Sequence, residues 1–87
     1  MKHAGAAALD RLEPLLDRIR ALEGLKEKSR GCFYLKGKSF LHFHEHGENE
    51  LYADIDLGTE FDRLPAMTAA QHKKILSLTA KALKLAK

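Results

Sequence analysis

The sequence predicts an α+β fold: a two-layer sandwich in which an N-terminal and a C-terminal helix cover one face of a three-stranded antiparallel sheet, in the order α-β-β-β-α. Three observations lead there. Residues 39–57, SFLHFHEHGENELYADIDL, alternate strictly on both sides of a Gly-containing turn, as a hairpin with one wet face does. Stretches with helical periodicity lie before and after it. The chain has 87 residues, 45% of them hydrophobic, which suits one small globular domain. A domain of that size buries only about 60–65% of its unfolded surface, so one sheet face needs a cover, and a dimer that extends the sheet or completes the cover is a candidate.

The first helix shows in Leu12, Leu15, Leu16, Ile19 and Leu22, three or four apart, with Asp17, Arg18 and Arg20 off that stripe. Pro14 is unwelcome deep inside a helix, so the start is expected close before it, either at the capping-box-like Asp10–Glu13 pair or at Glu13 itself. Gly24 supplies a stop. The helix is therefore placed at about 11–23, with Ala6 to Leu9 as a loose extra turn and residues 1–9 loosely ordered.

Three strands follow: Cys32–Leu35, Ser39–Glu45 and Leu51–Leu57. Leu41, Phe43, Leu51, Ala53, Ile55 and Leu57 share one parity; His42, His44, His46, Tyr52, Asp54 and Asp56 share the other. Keeping the apolar sets together pairs Phe43 with Ala53 and Leu41 with Ile55, and hence His42 with Asp54 and His44 with Tyr52. At Lys36-Gly37-Lys38 a three-residue loop turns Phe33 and Leu35 inward, a two-residue loop Cys32 and Tyr34. Gly58 to Met67 reads as a connector containing Pro65, with Phe61 and Leu64 tucked under the sheet. Thr68-Ala-Ala-Gln71 is a capping box opening a helix to about Ala86. Its Lys73, Lys74, Lys81, Lys84 and Lys87 fall within an arc of about 140° at 100° per residue, opposite an apolar side.

The net charge of +3 is unevenly laid out. Residues 26–38 hold five Lys or Arg and one Glu, residues 45–62 hold seven acids and no Lys or Arg, and residues 63–87 hold six bases and no acid. A single cysteine, Cys32, excludes an internal disulfide framework and suits a reducing compartment. Asp10 and Arg11 interrupt the N-terminal apolar run too early for a signal peptide. No run reaches the roughly 18 apolar residues of a membrane span. The expectation is a cytoplasmic protein without membrane contact.

The candidate chemistry gathers on the polar face of the hairpin. His42 and His44 point the same way about 7 Å apart, a spacing at which both reach one metal ion, with Asp54 across the hairpin as a further ligand or orienting partner. His46 continues the row, but three ligands along one strand span about 14 Å and do not share an ion. His42-x-His44-x-x-x-Glu48 resembles part of the first cupin motif, yet the chain is too short for the closed barrel that motif serves. There is no nucleophile elbow, Gly-rich phosphate loop or zincin helix, and Cys32 sits in an apolar run. No enzyme and no cofactor are expected.

Residues 33–45, FYLKGKSFLHFHE, are similar to the core of a family of short bacterial cytosolic proteins of uncharacterised role, and Gly37–Phe40 resembles a segment of YjbR-type proteins. Neither resemblance implies an activity. The leading expectation is a small non-enzymatic binding module that meets a protein partner, or a second copy, through Phe40, His42, His44 and Tyr52; Phe40 shares parity with the histidines and is expected at that surface. One alternative is non-specific nucleic-acid binding through Lys73, Lys74, Lys81 and Lys84, with Lys26, Lys28, Arg30, Lys36 and Lys38 extending the patch. The other is a transition-metal site at His42, His44 and Asp54.

Overall fold

A computed structural model describes residues 2–47, 49–58 and 60–85. In chain order the elements are β1 (Lys2–His3), α1 (Ala6–Arg20), β2 (Leu25–Ser29), β3 (Cys32–Leu35), β4 (Lys38–His46), β5 (Glu50–Asp56), β6 (Phe61–Pro65) and α2 (Ala69–Leu85). The fold is α+β, but the sheet has six antiparallel strands, not three. Strands β2 to β6 lie side by side in chain order, and β1 adds to β4 off that path. Because β5 occupies one edge of β4, β1 and β3 share the other, end to end.

The central hairpin pairs as its alternation requires: Leu41 with Ile55, His42 with Asp54, Phe43 with Ala53 and His44 with Tyr52. Its apolar face joins Leu12, Leu15, Leu16 and Ile19 of α1 and Ile75 of α2 in one core. Both helices therefore cover the same face, and the histidine face lies opposite.

The three additional strands each have a physical cause. β2 carries Lys26, Glu27 and Lys28, an unpromising strand, but Glu27 takes both arms of Arg20 from α1, at 2.6 and 3.0 Å. It also accepts the Gly31 backbone N–H at 2.8 Å. An inward charge on an edge strand is thereby satisfied, and it deters pairing with other chains. Arg20 also reaches Glu13 and Asp17, and Arg30 reaches Asp10 and Glu13, so one network ties α1 to the first hairpin. β6 tolerates Pro65 because it is an edge strand; Leu64 opposite Ala53 packs on the core and Arg63 opposite Asp54 does not. β1 takes the free edge of β4, with His3 paired to His44, and Ala8 and Leu9 are buried in α1; Met1, part of the stretch expected to be loosely ordered, lies outside the described residues.

Helix α1 begins at Ala6, well before Pro14, and ends at Arg20 rather than at residue 23. Burial of Ala8, Leu9 and Leu12 extends the apolar stripe upstream and outweighs the missing Pro14 N–H, whose side chain faces solvent. The Thr68 capping box forms as read. Gln71 N donates to Thr68 Oγ1 at 3.1 Å, and Thr68 N donates back to Gln71 Oε1 at 3.0 Å. Ala86 and Lys87, read as the end of this helix, lie outside the described residues, as does Glu48 of the cupin-like spacing.

The β3–β4 hairpin combines a two-residue loop with a bulge. Lys36 (φ 52°) and Gly37 (φ 83°) make a two-residue loop, Leu35 pairing with Lys38. That length alone would turn Cys32 and Tyr34 inward. A bulge intervenes: Tyr34 pairs with Ser39 while Phe33 pairs with Leu41, leaving Phe40 as the extra residue. Phe33 is therefore buried, and Phe40 follows Leu41 to the core side, only 4% exposed.

Gly31 closes the turn between β2 and β3 at φ +79°, and a Cβ there would lie 2.7 Å from Leu9 Cδ2. Gly31→Ala is expected to cost about 2–3 kcal/mol, combining left-handed strain with overpacking of a buried leucine. At Gly37 (φ +83°) a Cβ meets nothing within 4 Å, so Gly37→Ala is expected to cost only about 1 kcal/mol. Urea denaturation of the two variants checks the difference; equal losses would contradict it.

The Arg20 network also makes stability pH-dependent. The hydrogen bonds from Arg20 hold the Glu27 carboxyl below its ordinary value of 4.5. A carboxylate with a depressed folded-state pKa binds fewer protons folded than unfolded, so its contribution is present above about 4.5 and lost as pH falls through the folded value. Denaturation midpoints at pH 7, 4.5 and 3 are expected to show Glu27→Gln losing about 1 kcal/mol less than wild type on acidification. Parallel pH profiles would show that Glu27 is not the group responsible.

Candidate metal centre

Strand periodicity builds the site. His42 and His44, two apart on β4, emerge on the face away from the helices, and register sets Asp54 of β5 against His42. The right-handed twist and the small span of the hairpin gather these side chains: Asp54 Oδ2 lies 3.2 Å from His44 Nε2 and 3.6 Å from His42 Nε2. One donor atom from each of the three residues falls within 4.8 Å of the other two. Around a tetrahedral ion with ligand distances of about 2.0–2.1 Å, donor atoms stand about 3.3–3.4 Å apart. Both donor-to-carboxylate separations bracket that value.

Although no helix covers this face, the cluster is well enclosed. The side chains of Asp54, His44 and His42 are 10%, 12% and 19% exposed. Phe61 of β6 leans edge-on against His42, ring centroids 5.1 Å apart. The structure thus exchanges the places expected of two aromatic residues. Phe61, read as core, lies 43% exposed beside the histidines, because it pairs with Asp56 and shares its face. Phe40, read as part of a partner surface, is inside.

Arg63, opposite Asp54 on β6, fixes the carboxylate. Its Nε donates to Oδ1 at 2.8 Å and its Nη2 to Oδ2 at 2.9 Å. This fork is the main cause of an Asp54 pKa held below the ordinary carboxylate range, against the opposing effect of burial. The carboxylate is therefore ionised, oriented, and still has lone pairs on Oδ2 toward the imidazoles. His42 is pushed below the ordinary histidine value, first by burial and then by His44. A neutral imidazole is the form that offers a lone pair to a metal.

His44 is the least satisfied group. Its Nε2 is near Asp54 Oδ2 but not aligned for a hydrogen bond, and neither Nδ1 nor Nε2 has a hydrogen-bond partner. Buried imidazole nitrogens ordinarily find partners, and a pair left without them calls for a reason.

Two residues at this site were not singled out from the sequence. One is Arg63. The other is His3, whose ring lies 4.8 Å from that of His44 and 5.8 Å from that of His42. His46 does not join; it lies near Glu50 at 3.9 Å with its side chain 65% exposed. Tyr52 stays on the polar face, donating its hydroxyl to Glu50 at 3.1 Å. Lys73, Lys74, Lys81 and Lys84 are all exposed on α2, on the opposite layer from the histidines, and Lys28 sits over the Tyr34 ring at 4.4 Å. Cys32 is half-buried at the start of β3. No helix among the described residues is long and apolar enough to cross a membrane. Comparison with models of protein families, with curated proteins and with solved structures gives no match.

Proposed function

We propose that this protein is a small binding module for a late divalent transition metal of the zinc type, held by His42, His44 and Asp54. The observation that carries the reading is three enclosed donor atoms within 4.8 Å of one another, both imidazoles standing 3.2–3.6 Å from the carboxylate and one of them having no hydrogen-bond partner. Two imidazoles and one carboxylate are a donor set that suits zinc, nickel, copper or iron(II), and not magnesium or calcium, which take oxygen. Arg63 acts as the outer partner that orients the carboxylate, the arrangement by which metal sites fix their ligands. A protein-partner role for the same face is less supported, because Phe40, its intended apolar anchor, is in the core. A nucleic-acid role has the exposed lysines of α2 but no aromatic side chain interleaved among them.

The test is elemental analysis and zinc titration, against a chromophoric chelator, of tag-free protein. One zinc per chain, undisturbed by excess magnesium, is expected. Sub-stoichiometric zinc would overturn the reading.

A further inference from the structure

We propose that His3 supplies the fourth ligand of this site, so that the metal clasps β1 to the sheet. The inference rests on the metal reading above and goes beyond it in making the site closed and the N-terminal strand metal-dependent.

His3 is paired in register with His44, so the two side chains leave neighbouring strands on the same face. That fixes direction as well as distance, since cross-strand partners project together.

The three imidazole rings also lie close together. An imidazole coordinated at about 2.05 Å has its centroid about 3.2 Å from the metal, and two such rings at a tetrahedral angle have centroids about 5.2 Å apart. The observed separations are 4.8 Å for His3–His44, 4.8 Å for His42–His44 and 5.8 Å for His3–His42. These separations straddle that value; the donor atoms of His42, His44 and Asp54 are already gathered, and His3, exposed on β1, joins them by turning its ring toward them. With Asp54, the set becomes three nitrogens and one oxygen, which fills a tetrahedral zinc shell and leaves no position for a reactive water.

β1 is otherwise lightly held. The strand has two residues. Ala4 N donates to Phe43 O at 3.1 Å and Gly5 N to Glu45 Oε2 at 2.6 Å, while Lys2, its side chain 79% exposed, stands 3.7 Å from Glu45. So short a strand with exposed bonds belongs to the low-stability end of a structure and opens readily. A ligand carried on it couples metal binding to strand docking, and the coupling is reciprocal: whatever undocks the strand weakens the metal, and the metal stabilises the docked strand.

Hydrogen exchange of the full chain with and without zinc, beside zinc titrations of wild type, His3→Ala and Lys2→Ala, tests this. Zinc is expected to slow exchange at Ala4 and Gly5 at least about 10-fold in wild type and in Lys2→Ala. In His3→Ala the zinc affinity is expected to fall at least about 10-fold, with exchange at residues 4 and 5 no longer responding to zinc. Cobalt(II) substituted for zinc is expected to give the intense visible bands of a tetrahedral site in wild type and weaker ones in His3→Ala. Wild-type zinc affinity in His3→Ala, with unchanged cobalt bands, would overturn the role of His3 while leaving the three-residue site standing. Failure of wild type to bind zinc at all would overturn the metal reading itself.

Discussion

Replacing His44 by alanine is expected to lower zinc affinity at least about 100-fold, equivalent to about 2.7 kcal/mol, while His46→Ala leaves it within about twofold. The two histidines share a strand and a face, and a count of residues would treat them alike. Their surroundings separate them. His44 is enclosed, lies 3.2 Å from the Asp54 carboxylate and has both ring nitrogens without a hydrogen bond; His46 is 65% exposed, near Glu50. Loss of an outer partner that merely orients a ligand costs metal sites about 10–100-fold, so loss of a direct ligand from a shell this small exceeds that. In the metal-free protein the same substitution is expected to be mild, because it removes two buried polar atoms that nothing satisfies. The combination is diagnostic: a large fall in affinity with a small change in metal-free stability. Competition titrations and urea denaturation read the two quantities separately. Equal affinities for His44→Ala and His46→Ala would remove His44 from the shell.

How the site could be read from the sequence depends on which strand carries each residue. His42, His44 and Asp54 lie on a hairpin whose alternation is unbroken over both arms, so parity and register followed from period 2 alone. The Thr68 box was equally legible, since a cap is a local interaction among four residues. His3 and Arg63 were not legible, because their strands have no pattern of their own. β1 is two residues long and exists through the free edge of β4, some forty positions away. β6 shows one inward residue, Leu64, and ends on a proline, so it reads as a connector until β5 is there to pair with it. The Phe40 bulge is hidden for a related reason: an extra residue in a strand leaves the composition unchanged and only reverses the parity of what precedes it. The expectation of three strands thus failed where strand formation is set by a neighbour's edge and held where it is set by the strand's own alternation.

Leu16→Ala is expected to cost about 3–4 kcal/mol, and zinc is expected to return most of it. Leu16 is fully buried in α1 and belongs to the core that both helices share with the sheet. Leucine truncations at such positions cost about 2–5 kcal/mol, the higher values where the surroundings cannot collapse into the space. A domain of this length has about 4–13 kcal/mol in total, so the variant keeps little margin and its melting temperature is expected to fall by about 15–25 °C. The metal acts on the same equilibrium from the other side of the sheet. His42 and His44 flank the buried Phe43 on β4, so no intact site survives when the core opens. A ligand bound only by the folded state adds about 2.7 kcal/mol at 100 times its Kd. Thermal melts of Leu16→Ala with and without zinc are therefore expected to differ by about 10–20 °C, and the difference is expected to shrink to about 3 °C or less when His44→Ala is added to the same chain. An equal rise on zinc addition in single and double variants would place the zinc effect outside this centre. A rise confined to chains that keep His44 would tie the polar face of the sheet to the stability of the core beneath it.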